Sequence, residues 1–234
     1  MIAGSGGLRC DMATIGFIGS GRIGETVARL AAAAGYHVVL SNSRGPQTLQ
    51  DLAADIGPLA SAGTAAQAAQ QGDIVVVAVP LRAYRDVPAA PLAGKTVLDA
   101  NNYYPQRDGQ IAELDAGTAT SSELLQRHLA GAHVVKAFNN IFFKHLLRLA
   151  RPHGAPDRSA LLIAADDAGA ATAATEFLDA IGYDAVQSGT LAESWRQEPG
   201  SAAYGGVYGP FEDEGGVPVG AQALRGKLAE NRPR

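Results

Sequence analysis

The stretch GFIGSGRIGE, residues 16–25, restricts the fold more than any other feature of this sequence. Gly19, Gly21 and Gly24 have the spacing G-x-G-x-x-G between an apolar run at 13–19, which predicts a strand, and a run at 22–35, which predicts a helix. In that context the first glycine permits a tight turn, the second lets a pyrophosphate approach the backbone, and the third lets helix and strand pack closely. The motif predicts a dinucleotide site at a helix N-terminus.

The rest of the chain alternates strands and helices, which indicates a parallel sheet with helices on its faces. Further strands are predicted at 36–42, 73–80, 95–102, 133–140, 159–165 and 183–189. Further helices are predicted at 47–57, 64–72, 121–131, 141–150 and 166–182, with a helical turn at 190–197. The expected fold class is α/β: a Rossmann-type doubly wound parallel sheet with a small C-terminal α/β extension.

We divide the chain into four segments. Residues 1–11 are glycine-rich and predict a flexible leader, 12–140 a dinucleotide-binding Rossmann domain, and 141–198 a small C-terminal α/β part. The fourth segment, 199–234, begins with a stretch at 199–220 that carries seven glycines and three prolines and predicts an irregular arm, and it ends in a polar stretch at 225–234 that predicts a disordered tail. An arm of this kind is hard to place on a compact monomer, so we expect it to wrap a neighbour in a homodimer.

Composition excludes several classes of function. The net charge is −4 and no cluster of Lys or Arg occurs, which argues against nucleic acid as a partner. The longest apolar runs have the length of a strand, so we expect no membrane partner, and the N-terminus lacks a secretory pattern. A single cysteine excludes a disulfide framework. We therefore expect a cytoplasmic protein that acts on small molecules.

The stretch SNSRGP, residues 41–46, follows the second predicted strand, where NAD-binding chains place an acidic residue that binds the ribose hydroxyls. No acidic residue occurs there before Asp51. Ser43 and Arg44 instead offer a hydroxyl and a guanidinium fork, which suit a phosphate dianion. The stretch predicts NADP(H) as the cofactor.

Two polar clusters follow predicted strands at the edge of the sheet where such folds bind ligands. The first contains Asp99, Asn101, Asn102, Tyr103 and Tyr104. Their amides could hold the nicotinamide and a second reactant, with Asn101 among the cofactor-binding residues, or serve only as loop residues.

The second cluster contains Lys136, Asn139 and Asn140. Lys136, as a proton donor, and Asn139 are the candidate catalytic residues. Trp195 and Arg196 could line a planar pocket or belong to the core.

Other machinery is missing from the sequence. The histidines show no metal-ligand spacing, so no metal site is predicted, and no G-x-S-x-G motif supports hydrolase chemistry.

Three stretches together, 15–46, 75–80 and 134–140, resemble the F420-dependent NADP oxidoreductase family. The dinucleotide-binding domain of the six-membrane-span metalloreductases is similar too. The resemblance extends over about residues 13–198 and is most specific at S-x-S-R-G-P. It implies a Rossmann protein that transfers a hydride between NADPH and the deazaflavin coenzyme F420, a reaction that needs no acid–base triad.

The resemblance also assigns roles to residues. The pyrophosphate would contact Ser20, Gly21, Arg22 and Ile23. The 2′-phosphate would contact Ser43 and Arg44. The nicotinamide ribose would lie along Val79, Pro80 and Leu81. The nicotinamide and the deazaflavin would stack near Ala137, Asn139 and Ile141.

Two other functions stay open from sequence. One is reduction of a small carbonyl or imine by NADPH without F420, in which Lys136 or Tyr103 supplies a proton. The other is a non-catalytic redox sensor that binds NADP.

The arm also departs from the archaeal members of the family, which end in an apolar helical segment that closes the deazaflavin site.

Overall fold

A computed structural model of the chain describes residues 13–230, so the predicted leader at 1–11 lies outside the described residues. Eight strands form one sheet in the order β3-β2-β1-β4-β5-β6-β7-β8. The strands are β1 Thr14–Ile18, β2 His37–Ser41, β3 Ala60–Ala62, β4 Ile74–Val77, β5 Thr96–Asp99, β6 His133–Lys136, β7 Ala160–Ala165 and β8 Asp184–Gly189. All neighbouring strands are parallel except β6 and β7. The order of the first six strands is that of the Rossmann fold, as predicted.

Helices cover the sheet. They are α1 Arg22–Ala33, α2 Gln50–Ile56, α3 Ala65–Gln71, α4 Pro105–Asp108, α5 Ala112–Asp115, α6 Ser121–His128, α7 Phe143–Arg148, α8 Ala168–Ala180 and α9 Ala221–Glu230. The predicted helical turn at 190–197 is a 3₁₀ segment, Leu191–Gln197. The sequence patterns did not indicate the short β3, α4 and α5, which are too brief to show a periodicity.

The centre of the sheet is covered on both faces. All four residues of β4 are buried, which explains why that strand is a continuous apolar run and not an alternating one. Gly16 in β1 lets α3 approach closely, because a Cβ there would lie 2.1 Å from the carbonyl oxygen of Ala68. A glycine outside the nucleotide motif is therefore needed for helix–sheet packing.

The segment predicted as a small C-terminal part extends the same sheet. β7 lies antiparallel beside β6, and α8 then connects β7 to the parallel β8. Phe177 of α8 packs edge-on against Tyr36 and Phe138, with ring centroids 5.5 and 6.3 Å apart. This part and the nucleotide-binding part therefore share one core cluster.

The arm, residues 199–220, packs against its own chain. Tyr208 is fully buried, and its hydroxyl donates a hydrogen bond to the carbonyl oxygen of Ala160, at 2.8 Å. The N–H of Ala160 in turn donates to the carbonyl oxygen of Val219, also at 2.8 Å. The arm thus has a place on the monomer, which removes our reason for expecting a homodimer, and the dimer stays a prediction.

The prediction of a disordered tail was wrong for the residues that the structure describes. Ala221–Glu230 form α9, and Leu224 and Leu228, one turn apart, are buried. A pair of leucines at i and i+4 is enough to dock a helix on β7 and β8, but it is too short a pattern to stand out in a polar segment. Residues 231–234 lie outside the described part.

Within residues 13–230, no helix is long and apolar enough to cross a membrane.

Replacing Tyr208 by Ala should release the arm. The change removes a fully buried ring and should lower the free energy of unfolding by about 3–5 kcal/mol. Limited proteolysis should then cut the arm, while the wild type resists. Tyr208→Phe is the matched control, since it keeps the ring and loses only one hydrogen bond, about 1 kcal/mol. Equal protease resistance of Tyr208→Ala and the wild type would show that this side chain does not hold the arm.

Candidate dinucleotide cleft and adjoining aromatic pocket

The first cavity, which we call the dinucleotide cleft, has a volume of about 330 Å³ and lies at the carboxyl ends of β1, β2 and β4. Its lining residues are Ile18, Gly19, Ser20, Gly21, Ser41, Asn42, Ser43, Arg44, Ala65, Ala78, Val79, Pro80, Ala83, Asp86 and Val87. This is the edge where open α/β sheets bind nucleotides.

The glycines of the motif divide into two kinds. Gly19 has a φ of +100°, and a Cβ there would lie 2.3 Å from the carbonyl oxygen of Ala78. A Cβ on Gly24 would lie 2.0 Å from the carbonyl oxygen of Gly19. Gly21, by contrast, faces open space, with no atom within 4 Å of its Cβ position, and no side chain caps the N-terminus of α1. The free N–H groups and the space over Gly21 fit a pyrophosphate.

The turn after β2 leaves a guanidinium available. The side-chain oxygen of Asn42 accepts a hydrogen bond from the N–H of Arg44, at 2.9 Å, which shapes the turn. The Ser41 hydroxyl is buried and donates to the carbonyl oxygen of Phe17, so it is not free for a ligand. Ser43 and Arg44 are exposed, and the Arg44 side chain makes no hydrogen bond or ion pair within residues 13–230. This arrangement fits the 2′-phosphate of NADP.

The second cavity, which we call the aromatic pocket, has a volume of about 500 Å³. Its lining residues are Arg22, Ile23, Ala100, Asn102, Tyr104, Arg107, Phe138, Asn139, Asn140, Ile141, Phe142, Phe143, Tyr204, Gly205 and Phe211. Gly21 lines one cavity and Arg22 the other, so the glycine loop borders both cavities. The lining of the aromatic pocket contains two arginines and no acidic residue.

Side-chain amides hold one wall of the aromatic pocket. Asn102 and Asn139 pair, because the Nδ2 of Asn139 donates to the Oδ1 of Asn102, at 3.0 Å, and the Nδ2 of Asn102 donates to the carbonyl oxygen of Asn139, at 2.7 Å. Gln197 closes the network by donating to the Oδ1 of Asn139, at 2.9 Å. The amide of Asn139 is thereby fixed beside the pocket.

Phe138 adopts a φ of +61°, a conformation that is costly for a bulky side chain. It is fully buried directly after β6 and packs against Phe177. The left-handed turn redirects the chain at the strand end, so that Asn139, Asn140 and Ile141 line the aromatic pocket. Strain at this position coincides with the predicted site of the nicotinamide.

Lys136 lies beneath the site, fully buried. Its ammonium donates to the carbonyl oxygen of Asn101, at 2.5 Å, to the Ser121 hydroxyl, at 2.8 Å, and to the Asp99 carboxylate, at 3.3 Å. All three N–H bonds are therefore engaged. The geometry gives Lys136 a positioning role, and its catalytic role stays a prediction.

Asn101 couples this network to the dinucleotide cleft. Its Oδ1 accepts a hydrogen bond from the N–H of Val79, at 2.9 Å, and Val79 lines the cleft. The Nδ2 of Asn101 is buried and has no partner among the described residues. A buried donor without a partner fits a group that a bound cofactor would satisfy.

The structure brings most of the predicted site residues, cofactor-binding and catalytic, to the two cavities. Those at the dinucleotide cleft are Gly19, Ser20, Gly21, Ser43, Arg44, Val79 and Pro80. Those at the aromatic pocket are Arg22, Ile23, Asn139 and Ile141. The residues that line neither are Gly24, Leu81, Asn101, Lys136 and Ala137, of which Leu81, Lys136 and Ala137 are fully buried. Trp195 and Arg196 also lie outside both linings.

The sequence did not reveal the aromatic walls. Phe142 and Phe143 stand at the start of α7, and Phe142 packs against Phe211 of the arm, with ring centroids 5.2 Å apart. Tyr204 also comes from the arm. A glycine-rich segment gives no periodic signal, so nothing in the sequence places these rings together.

Arg107 and Asp108 form a clamp beneath Tyr104. The guanidinium of Arg107 lies 4.9 Å from the centre of the Tyr104 ring and donates twice to Asp108, at 2.8 and 3.0 Å. Desolvation raises the pKa of Asp108, but the hydrogen bonds from Arg107 and from the N–H groups of Tyr104 and Arg82 outweigh it, so the pKa lies below its ordinary value.

Asp108→Asn should therefore destabilise the protein in a pH-dependent way. Because the pKa of Asp108 is lowered on folding, its contribution is complete above the ordinary value of 3.8 and is lost as the pH falls through the folded value. We expect a loss of about 1–2 kcal/mol at neutral pH that vanishes in acid, measured by urea unfolding. Asp157→Asn, which breaks an exposed pair with Arg151, is the control and should change little. A deficit that persists in acid would contradict the assignment.

Arg44→Ala should weaken NADPH binding by about 10- to 100-fold, because a charge-assisted contact to the 2′-phosphate is lost. NADH, which lacks that phosphate, should bind as before. Equilibrium titration of both nucleotides measures the effect. Arg127→Ala is the control, since Arg127 is exposed and lines neither cavity, so this variant should bind both nucleotides like the wild type. Equal losses for NADPH and NADH in Arg44→Ala would refute the 2′-phosphate site.

The comparisons with known proteins agree with this geometry. Residues 14–103 match the family described as coenzyme F420-dependent NADP oxidoreductase. None of the curated proteins matches the sequence. The matched range contains the glycine loop, Arg44 and Asn101, so it includes the dinucleotide cleft.

Solved structures share the fold. A hypothetical protein of Sinorhizobium meliloti is 30% identical, with 82% of this chain and 93% of that chain covered and a TM-score of 0.71. A protein of Arthrobacter sp. FB24 described as an F420-dependent NADP reductase is 23% identical, with 78% and 86% covered and a TM-score of 0.65. A reductive aminase of Aspergillus terreus in complex with NADPH is 16% identical, with 78% and 57% covered and a TM-score of 0.55, and shows the fold alone. With the cleft for NADP(H), the family match places the nucleotide-binding part of the chain, residues 14–103, in the F420-dependent NADP oxidoreductase family.

Proposed function

We propose that this NADP-dependent oxidoreductase transfers a hydride between NADPH and coenzyme F420. The observation that carries the proposal is the position of the aromatic pocket, which borders the same glycine loop as the dinucleotide cleft. Bound NADPH supplies a hydride. A pocket walled by phenylalanine and tyrosine rings next to such a donor suits a planar, conjugated acceptor.

The described residues serve chiefly to position the two partners. The glycine loop and Arg44 hold the nucleotide, and the strained turn at Phe138 presents Asn139 and Ile141 to the aromatic pocket. Hydride transfer between two stacked rings depends on distance and alignment, so a site of this kind works without a side-chain acid or base.

The charge of the pocket agrees with an anionic acceptor. Arg22 lies 5.1 Å from the centre of the Phe143 ring and makes no ion pair within residues 13–230. No carboxylate lines the pocket to oppose it. A deazaflavin with an anionic tail fits these walls better than a cationic iminium.

A small carbonyl or imine substrate is the alternative, and it would need a proton donor in the pocket. The two candidates do not lie there. All three N–H bonds of Lys136 are engaged, and the Tyr103 hydroxyl donates to the Asp115 carboxylate, at 2.7 Å, and lines neither cavity. The imine-reducing proteins among the structural neighbours support the fold and not this reaction.

The test is the rate of NADPH oxidation with and without oxidised coenzyme F420, with NADH alongside. We expect rapid bleaching of the deazaflavin with NADPH, slow bleaching with NADH, and the reverse reaction from reduced F420. Tyr103→Phe should keep the wild-type rate, since its hydroxyl faces Asp115.

Other outcomes distinguish the remaining functions. Tight NADPH binding without transfer to F420 would refute the proposal. Turnover with carbonyls or imines, slowed by Tyr103→Phe, would then establish the alternative, and binding without any turnover would indicate a redox sensor.

A further inference from the structure

Two tyrosines that are 100 residues apart in the chain meet in the aromatic pocket. The hydroxyls of Tyr104, which precedes α4, and Tyr204, in the arm, form a hydrogen bond with each other. Both residues line the pocket. The arm therefore contributes a hydroxyl to a pocket that is also lined by four phenylalanines, three asparagines and two arginines.

Counting donors shows what the pair offers. Each hydroxyl carries one hydrogen, and a bond between them uses only one of the two. Neither hydroxyl has another hydrogen-bond partner within residues 13–230. Burial, and then the bond to Tyr104, raise the pKa of Tyr204, so its hydroxyl stays protonated. One O–H of the pair thus remains free to donate to a ligand.

The surroundings of the pair favour a carbonyl oxygen over a phosphate. Arg107, stacked on Tyr104, is neutralised by two hydrogen bonds to Asp108 and also donates to the carbonyl oxygen of Asn102, at 2.7 Å. Its fork is therefore not available to a phosphate. The unpaired guanidinium of the pocket is that of Arg22, in the glycine loop.

We propose that the Tyr104–Tyr204 pair determines the specificity of the aromatic pocket by donating a hydrogen bond to a ring carbonyl of the planar hydride acceptor. The inference rests on the proposed function, from which it takes the deazaflavin as acceptor. It adds the part of the acceptor that is recognised and the role of the arm, which is to supply half of the recognition element.

The experiment measures binding in the absence of NADPH. The variants are Tyr104→Phe, Tyr204→Phe and the double variant, and the readout is quenching of deazaflavin fluorescence. The probes are oxidised coenzyme F420 and a 5-deazaflavin riboside without the anionic tail. Each single variant should bind both probes roughly three- to tenfold more weakly than the wild type. The double variant should lose no more affinity than the single variant with the larger loss, because the two hydroxyls act as a unit.

Two controls accompany these titrations. Tyr84→Phe removes a hydroxyl that pairs with Arg85 outside the pocket and should bind both probes like the wild type. NADPH affinity, titrated separately, should stay unchanged in all variants, since neither tyrosine lines the dinucleotide cleft.

The other results overturn the inference in distinguishable ways. Unchanged deazaflavin binding in the tyrosine variants would refute it and leave the proposed function intact. Weaker binding of F420, but not of the tail-free riboside, would show that the pair binds the anionic tail and not a ring carbonyl. A loss of NADPH affinity alongside the loss of deazaflavin affinity would show that the tyrosine pair only supports the structure of the site and does not recognise the acceptor. No binding of either probe to the wild type, with NADPH still bound, would refute the proposed function and this inference with it.

Discussion

The buried ammonium of Lys136 is the interaction on which the architecture of the site depends. Removing such a charge from water costs several kcal/mol unless its hydrogen bonds are complete, and here Asp99, Asn101 and Ser121 complete them. These partners come from the end of β5, the loop after it and the start of α6. Ser121 in turn donates to Glu198, the residue before the arm, at 2.6 Å. One charge therefore holds together the strand ends, a helix and the base of the arm.

This network and the glycine loop together determine where the two cavities lie. Asn101, which contacts Lys136, also accepts a hydrogen bond from the N–H of Val79 and so fixes the backbone of the dinucleotide cleft. A second network, between Asn102, Asn139 and Gln197, fixes the Asn139 amide at the wall of the aromatic pocket. Catalysis by positioning requires a rigid frame around both reactants, and buried hydrogen-bond networks supply rigidity at a site built largely from loops.

The arm changes what the fold can recognise. In its absence the pocket would lose Tyr204, Gly205 and Phe211 and open to solvent on one side. Glycines are useful in such a segment because they permit sharp turns over a crowded surface; a Cβ on Gly216, for example, would lie 2.9 Å from the buried ring of His145. The same feature that predicts an irregular segment from sequence thus permits close packing in the fold.

The sequence by itself determined the Rossmann sheet, the glycine loop and the choice of NADP, because each depends on local patterns. A strand that runs into G-x-G-x-x-G and a helix, and an arginine where an acid would select NAD, are contiguous in the chain. Only the tertiary structure decided the aromatic pocket, the burial of Lys136 and the docking of the arm and of α9. Those features depend on contacts between distant residues, such as Tyr104 with Tyr204, and on whether a polar group ends in water or in the core. No local pattern contains that information.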